Sequence, residues 1–229
     1  MKKGRFLQLT AAIAVLAFAA QAQVRETPET QPYSGPGATA IFAGGCFWCI
    51  EKDFEKLPGV LEVESGYTAG WTENPTYETV SFGNTGHAEA VMVYYDPEKV
   101  SYAQLVDYFW RHIDPTVKDR QFCDVGTAYR SGIYWQNETE REIAESSREA
   151  LVKSGRFAHI HTELAPASKF WRAEEYHQDY YKKNSLRYSY YRAACGRDAR
   201  VEKLWGDLPP LAEEAPPSVS GNLPPEETK

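Results

Sequence analysis

No basic stripe and no lysine-rich block runs along these 229 residues, whose formal net charge is −7. Phosphate binding needs clustered positive charge, so nucleic acid is not expected as a partner. No internal repeat is evident. The longest apolar stretch, Phe6 to Ala20, falls short of the about 20 residues that span a bilayer comfortably. Cysteine is scarce, at four residues (Cys46, Cys49, Cys123, Cys195), spaced unlike a disulfide-stapled scaffold. Cys46-x-x-Cys49 lacks the second close pair of a structural zinc site, and no His-x-x-x-His follows, so no metal is expected.

What is present fits one ordinary domain with tails: apolar residues make up 42%, enough for a packed core. Lys2, Lys3 and Arg5 precede the apolar stretch, and Ala20-Gln21-Ala22 supplies a small-x-small cleavage pattern. Residues 1–22 therefore read as a cleavable signal peptide, with export to a periplasmic or extracellular site. No cysteine follows Ala22, which argues against a lipid anchor. Residues 23–37, with three prolines, read as a linker, 38–207 as the folded domain, and 208–229, rich in proline and glutamate, as a disordered tail.

Within the domain, Ala38 to Ala43 reads as a strand and Cys46 to Leu57 as a helix with Phe47, Ile50, Phe54 and Leu57 at helical spacing. Val60 to Tyr67 is a second strand, residues 70–86 a loop, and His87 to Tyr95 a strong strand. Ser101 with Gln104 forms a capping box for the next helix, and Asn137 with Glu140 caps another reaching Lys153. Between them, 114–127 reads as irregular and Ala128 to Trp135 as a strand. His159 to Ala165 reads as a strand and Ala173 to Lys183 as the last helix, before a coiled tail. Helices and strands alternate, with one hairpin-like step. The expected fold is α+β, a two-layer sandwich with a mixed sheet.

Chemistry concentrates at Gly44-Gly45-Cys46-Phe47-Trp48-Cys49. A cysteine at the first turn of a helix meets unpaired N–H groups and the helix dipole, so Cys46 should ionise more easily than a free thiol. The glycines allow a sharp turn and close approach of a substrate. Strand alternation puts Glu89 on the face of Val91 and Val93, where it is either desolvated, which favours its protonated form, or set at the sheet's rim or paired with a lysine or arginine. A protonated carboxyl beside a thiolate is a general acid beside a nucleophile. Asp124, Tyr129 and Arg130 cluster where a loop opens a strand, and Tyr77 stands on the long loop. By itself, Cys46-x-x-Cys49 could equally be a thioredoxin-type dithiol.

Four stretches, in order, resemble the A-type peptide-methionine sulfoxide reductases: Gly45-Cys46-Phe47-Trp48; Gly66-Tyr67-Thr68 through Pro75-Thr76-Tyr77; Gly86-His87-Ala88-Glu89-Ala90-Val91; and Asp124-Val125-Gly126-Thr127-Ala128-Tyr129-Arg130-Ser131. The resemblance covers roughly 38–206 and implies a ferredoxin-like fold and reduction of the S-epimer of methionine sulfoxide in peptides and proteins. It implies Cys46 as nucleophile, Glu89 as proton donor with Tyr77 and Tyr129 as phenol donors, Phe47 and Trp48 as walls for the sulfoxide's methyl group, and Asp124 as pocket support. Cys195 is implied as the thiol that resolves the sulfenic acid on Cys46, with Cys49 as the alternative and Cys123 a passive, semi-buried thiol. No cofactor is implied. The implied partner is a thioredoxin-like reductant or a membrane electron relay, the implied state a monomer, and the implied role repair of exported proteins under oxidative stress.

Overall fold

A computed structural model describes residues 32–209. The expected signal peptide, most of the linker and all but the start of the tail lie outside the described residues. The elements run β1 (Ala38–Gly44), α1 (Phe47–Phe54), β2 (Val60–Thr68), α2 (Tyr77–Phe82), β3 (Ala88–Tyr95), α3 (Tyr102–Trp110), β4 (Arg120–Gln121), β5 (Asp124–Val125), β6 (Ser131–Trp135), α4 (Glu138–Lys153), β7 (Glu163–Pro166), β8 (Trp171–Arg172), α5 (Tyr180–Lys183), α6 (Ser185–Cys195) and α7 (Arg197–Trp205).

Six strands form one sheet in the order β7-β6-β1-β3-β2-β8. Its neighbours are antiparallel except β6 and β7, which α4 joins as a parallel crossover. The sheet is therefore mixed, and the fold is α+β as expected. Alternation along β1 and β3 sorts the side chains. Phe42, Val91 and Val93 pack under Phe47, Ile50 and Phe54 of α1 and Leu105, Val106 and Phe109 of α3. Ile41, Ala88 and Ala90 face the other way, where Tyr134 and Phe170 cover them. Glu89 falls on the helical side and is buried. The capping boxes at Ser101/Gln104 and the Asn137 cap form as expected. Among the described residues, no helix is long and apolar enough to cross a membrane.

Several segments depart from expectation. The loop 70–86 contains α2, started by a reciprocal pair of threonines: the Thr76 side chain accepts from Thr79 N–H, and Thr79 Oγ1 accepts from Thr76 N–H. The strand expected from Ala128 begins only at Ser131, because Thr127–Tyr129 forms a 3₁₀ turn. The helix expected over 173–183 shrinks to a 3₁₀ turn and the short α5, broken by Asp179 in the left-handed region (φ 53°). The coil expected beyond it is two helices, α6 and α7, hinged at Gly196 (φ 68°). They hold because Arg197 is buried and ties this segment to the body, donating to Gly44 O (3.2 Å) and His112 O (2.9 Å) beside buried Asp53.

The cysteines also differ from expectation. Cys195 forms a disulfide with Cys123, leaving Cys46 and Cys49 as free thiols. Cys123 is exposed rather than a passive, semi-buried thiol. Sequence patterns could not foresee this bond, since it joins β5's approach to the end of α6 across 72 positions. Closing so long a loop in the unfolded chain is worth about 4 kcal/mol in the chain-entropy account. Urea unfolding of oxidised protein against Cys195→Ser is expected to show a loss of about 2–4 kcal/mol. Dithiothreitol should lower the parent similarly and leave the variant unchanged.

Candidate active site

The turn between β1 and α1 builds the centre. Gly45 takes φ +82°, and a Cβ there would lie 2.5 Å from Gln121 Cβ. A Cβ on Gly44 would strike Ile50 Cδ1 at 2.5 Å. The glycines thus make room for Gln121 and Ile50, not for a substrate as the sequence suggested. Gln121 is locked in return, accepting from Asp114 N–H (2.9 Å) and donating to Asp114 O (2.7 Å).

Cys46 is the N-cap of α1, 5% exposed, and its carbonyl accepts from Cys49 N–H at 3.1 Å. Glu89 reaches up from β3, which lies between β1 and β2, and its Oε2 accepts the Phe47 N–H at 3.0 Å. Together they border a small cavity of about 70 Å³, lined by Cys46, Phe47, Trp48, Tyr77, Glu89, Asp124, Tyr129 and Tyr191. Seven of the residues singled out from sequence therefore converge on one hollow. Cys49 lies behind it, buried with Tyr180 and Tyr188, and Cys195 is held by Cys123. Arg130 turns away to Glu163 (2.9 Å).

Burial and neighbouring charge set the protonation states. Desolvation pushes Glu89 up to about 8, against the Phe47 N–H that favours its ionised form. It is a neutral acid at pH 7, the buried alternative among those its place on the strand left open. Desolvation likewise raises Tyr77 and pushes Tyr129 well above the ordinary phenol range, so both remain donors. Asp124 is raised by burial while accepting from Tyr191 Oη at 2.5 Å.

Cys46 departs from expectation. Burial, followed by the adjoining Cys49 sulfur, raises it well above a free thiol. Cys49 instead falls to about 7, held down by the hydrogen bond from Cys46 and then by the charges of Arg197 and Arg192, against its own desolvation. The helix N-terminus does favour an anion here, but the two sulfurs share it, and a second charge has no compensation.

Sequence reasoning missed Tyr191, Glu174, His177 and Tyr180. Tyr180 stacks on Trp48 (3.7 Å, 7°), and His177 Nδ1 accepts from Trp48 Nε1 at 3.0 Å. Glu174 accepts from Tyr77 N–H and Tyr67 Oη, both at 2.8 Å. The signal for Glu174, His177 and Tyr180 was available only as the polar-aromatic run Glu174-Glu175-Tyr176-His177-Gln178-Asp179-Tyr180.

Residues 38–208 match the family described as peptide methionine sulfoxide reductase. The chain belongs to that family. A peptide methionine sulfoxide reductase of Caulobacter vibrioides is 47% identical over 196 residues, 86% of this chain and 95% of its own. One from Rhizobium meliloti is 53% identical over 169 residues, 73% of this chain and 83% of its own. The solved methionine sulfoxide reductase A of Corynebacterium diphtheriae, 38% identical, superposes with a TM-score of 0.58 over 65% of this chain and 75% of that one. As a member of the peptide methionine sulfoxide reductase family the chain is an oxidoreductase. Its pocket joins a buried thiol, a neutral carboxyl and three phenols.

Because folded Glu89 keeps its proton up to about pH 8, whereas the unfolded chain releases it near 4.5, its contribution to stability is complete below about 4.5. It is lost as pH rises through 8. Unfolding titrations from pH 5 to 9 should show Glu89→Gln gaining steadily on the parent and levelling off above about pH 8.

Proposed function

We propose that the protein reduces the S-epimer of methionine sulfoxide in peptides and proteins, with Cys46 as nucleophile and Glu89 as acid. The observation that carries this reading is the neutral Glu89 carboxyl bordering the same small hollow as the Cys46 sulfur. A sulfoxide sulfur is a poor electrophile until its oxygen takes a proton or strong hydrogen bonds. Glu89 supplies the proton, and Tyr77 and Tyr129 supply hydrogen bonds where charge develops. Phe47 and Trp48 offer the apolar wall for the methyl group.

Cys46 loses its proton to Cys49 as its sulfur attacks. The oxygen, protonated by Glu89, passes to Cys46 sulfur as the substrate's S–O bond and the bond between the two sulfurs break, so methionine leaves and Cys46 carries a sulfenic acid. The now protonated Cys49 attacks that sulfur, releasing water and forming a Cys46–Cys49 disulfide. An external dithiol then returns both to thiols by exchange. Cys49 takes this resolving role ahead of Cys195 because it is reduced, buried beside Cys46 and one helical turn away. Cys195 can act only in a form whose bond to Cys123 has been opened. A thioredoxin-like dithiol protein is the reductant proposed, reached directly or through a membrane relay. Export, repair of exported proteins and action as a monomer belong to this proposal, export resting on the leader-like residues 1–22.

Incubation with a methionine-sulfoxide peptide and dithiothreitol should consume the S-epimer alone. Cys46→Ser should abolish turnover, and Glu89→Gln should slow the chemical step by about a hundredfold or more. Consumption of neither epimer, or full activity of Cys46→Ser, would overturn the assignment. Mass mapping after one turnover without reductant should find Cys46 joined to Cys49 and Cys123 still joined to Cys195. A Cys46–Cys195 link would return the resolving role to Cys195.

A further inference from the structure

The stretch from Glu174 to Tyr180 makes more specific contacts with the pocket wall than a connecting segment needs. Glu174 grips the start of α2 at Tyr77 and β2 at Tyr67 (both 2.8 Å). Gln178 exchanges two hydrogen bonds with the Ser65 backbone (3.0 and 2.9 Å), and Asp179 N–H donates to Glu51 on α1 (3.0 Å). At its centre stands His177, 2% exposed, against Phe47 (centroids 5.0 Å), Tyr77 (4.5 Å) and Trp48 (5.6 Å).

The imidazole is an odd filler for this space. An indole N–H is only a donor, so Nδ1 accepts from Trp48 and the ring proton sits on Nε2. Nε2 has no hydrogen-bond partner and lies 4.0 Å from Glu174 Oε2. A phenylalanine or leucine would fill the volume without burying an unpaired donor. What the histidine alone adds is an acceptor aimed at the indole. It remains an acceptor at neutral pH, because desolvation lowers its pKa to about 4 despite the Glu174 carboxylate.

We propose that His177 is a positioning residue that locks the indole of Trp48 against the pocket, and that this lock sets the preference for a methyl over a larger alkyl group on the sulfoxide. The inference rests on the function proposed above. Tyr180, stacked 3.7 Å from the indole, covers one face. The Trp48–His177 bond fixes the ring's rotation about its own axis, which stacking leaves free. A wall held both ways keeps a cavity of about 70 Å³ small. With the bond removed the ring can tilt, so contact with the methyl weakens and room for an ethyl group appears.

The test compares the full chain with His177→Phe, His177→Asn, Trp48→Phe and the Trp48→Phe/His177→Phe double variant. The substrates are the S-epimers of blocked methionine sulfoxide and blocked ethionine sulfoxide, with dithiothreitol as reductant. Losing one buried hydrogen bond should raise KM for the methyl substrate about five- to tenfold in His177→Phe, with kcat within about twofold. The methyl-over-ethyl ratio of kcat/KM should fall by a similar factor. His177→Asn, whose amide can offer an acceptor near Nδ1, should recover most of both. In the Trp48→Phe background, His177→Phe should add nothing.

Equal losses on both substrates, a loss confined to kcat, or additive effects with Trp48→Phe would overturn the inference. Should His177→Phe not fold, His177→Leu takes its place with the same readings. Failure of the parent on both substrates would strike the proposed function instead. A working parent whose substrate ratio is untouched by His177→Phe strikes this inference alone.

Discussion

The site depends on one carboxyl group being kept out of water. Glu89 is buried because β3 lies at the centre of the sheet and the first turn of α1 closes over it. The Phe47 N–H satisfies one oxygen and leaves the other free for a substrate. That bond and the dipole of α1 both favour the anion, so it is burial, helped by the charges of Asp124 and Cys49, that keeps the group neutral. The balance matters for the sulfurs. With Asp124 lining the same hollow and one negative charge already shared by Cys46 and Cys49, an ionised Glu89 would repel the charge that the attacking sulfur must carry.

A second layer of charge answers from behind. Asp53, on the inner side of α1, is buried and faces Arg192 (3.0 Å) and Arg197 (3.7 Å). A buried carboxylate without a counter-charge is costly, so these arginines are required wherever Asp53 is inside. They also sit close enough to Cys49 to draw its pKa down. Fold maintenance and sulfur chemistry are thus served by the same two guanidinium groups, both carried by the C-terminal helices. The Cys123–Cys195 disulfide, exposed at Cys123 and half-buried at Cys195, fastens that segment next to Asp124, and the Tyr191–Asp124 hydrogen bond repeats the connection inside the pocket.

Local rules served well wherever the physics was local. The alternation that puts Glu89 with Val91 and Val93, the Ser101/Gln104 box and the Asn137 cap all depend on neighbours within a few positions. The four motif stretches also delivered most of the pocket. Legibility ended where a distant partner decides. The N-cap position of Cys46 argues for a thiolate, but burial and a second sulfur reverse it. The helix α2 is only six residues long and hid in a loop rich in turn residues. The polar helices α6 and α7 looked like coil because their order comes from Arg197, which reaches Gly44 and His112 far back in the chain.

One clue to the C-terminal segment was nonetheless present. Tyr188, Tyr191, Arg192 and Cys195 fall at the i, i+3, i+4 and i+7 positions of α6 and so share one face. Tyr188 packs by Cys49, Tyr191 lines the pocket, Arg192 meets Asp53 and Cys195 meets Cys123. Leu186 and Tyr190, by contrast, project into solvent, at 88% and 78% exposure. Evolution is therefore free to repaint the outer side of this helix but not to change its length. A single inserted or deleted residue before Tyr188 would swing that face by about 100° and detach all four attachments together, so the helix is tuned in phase as much as in composition.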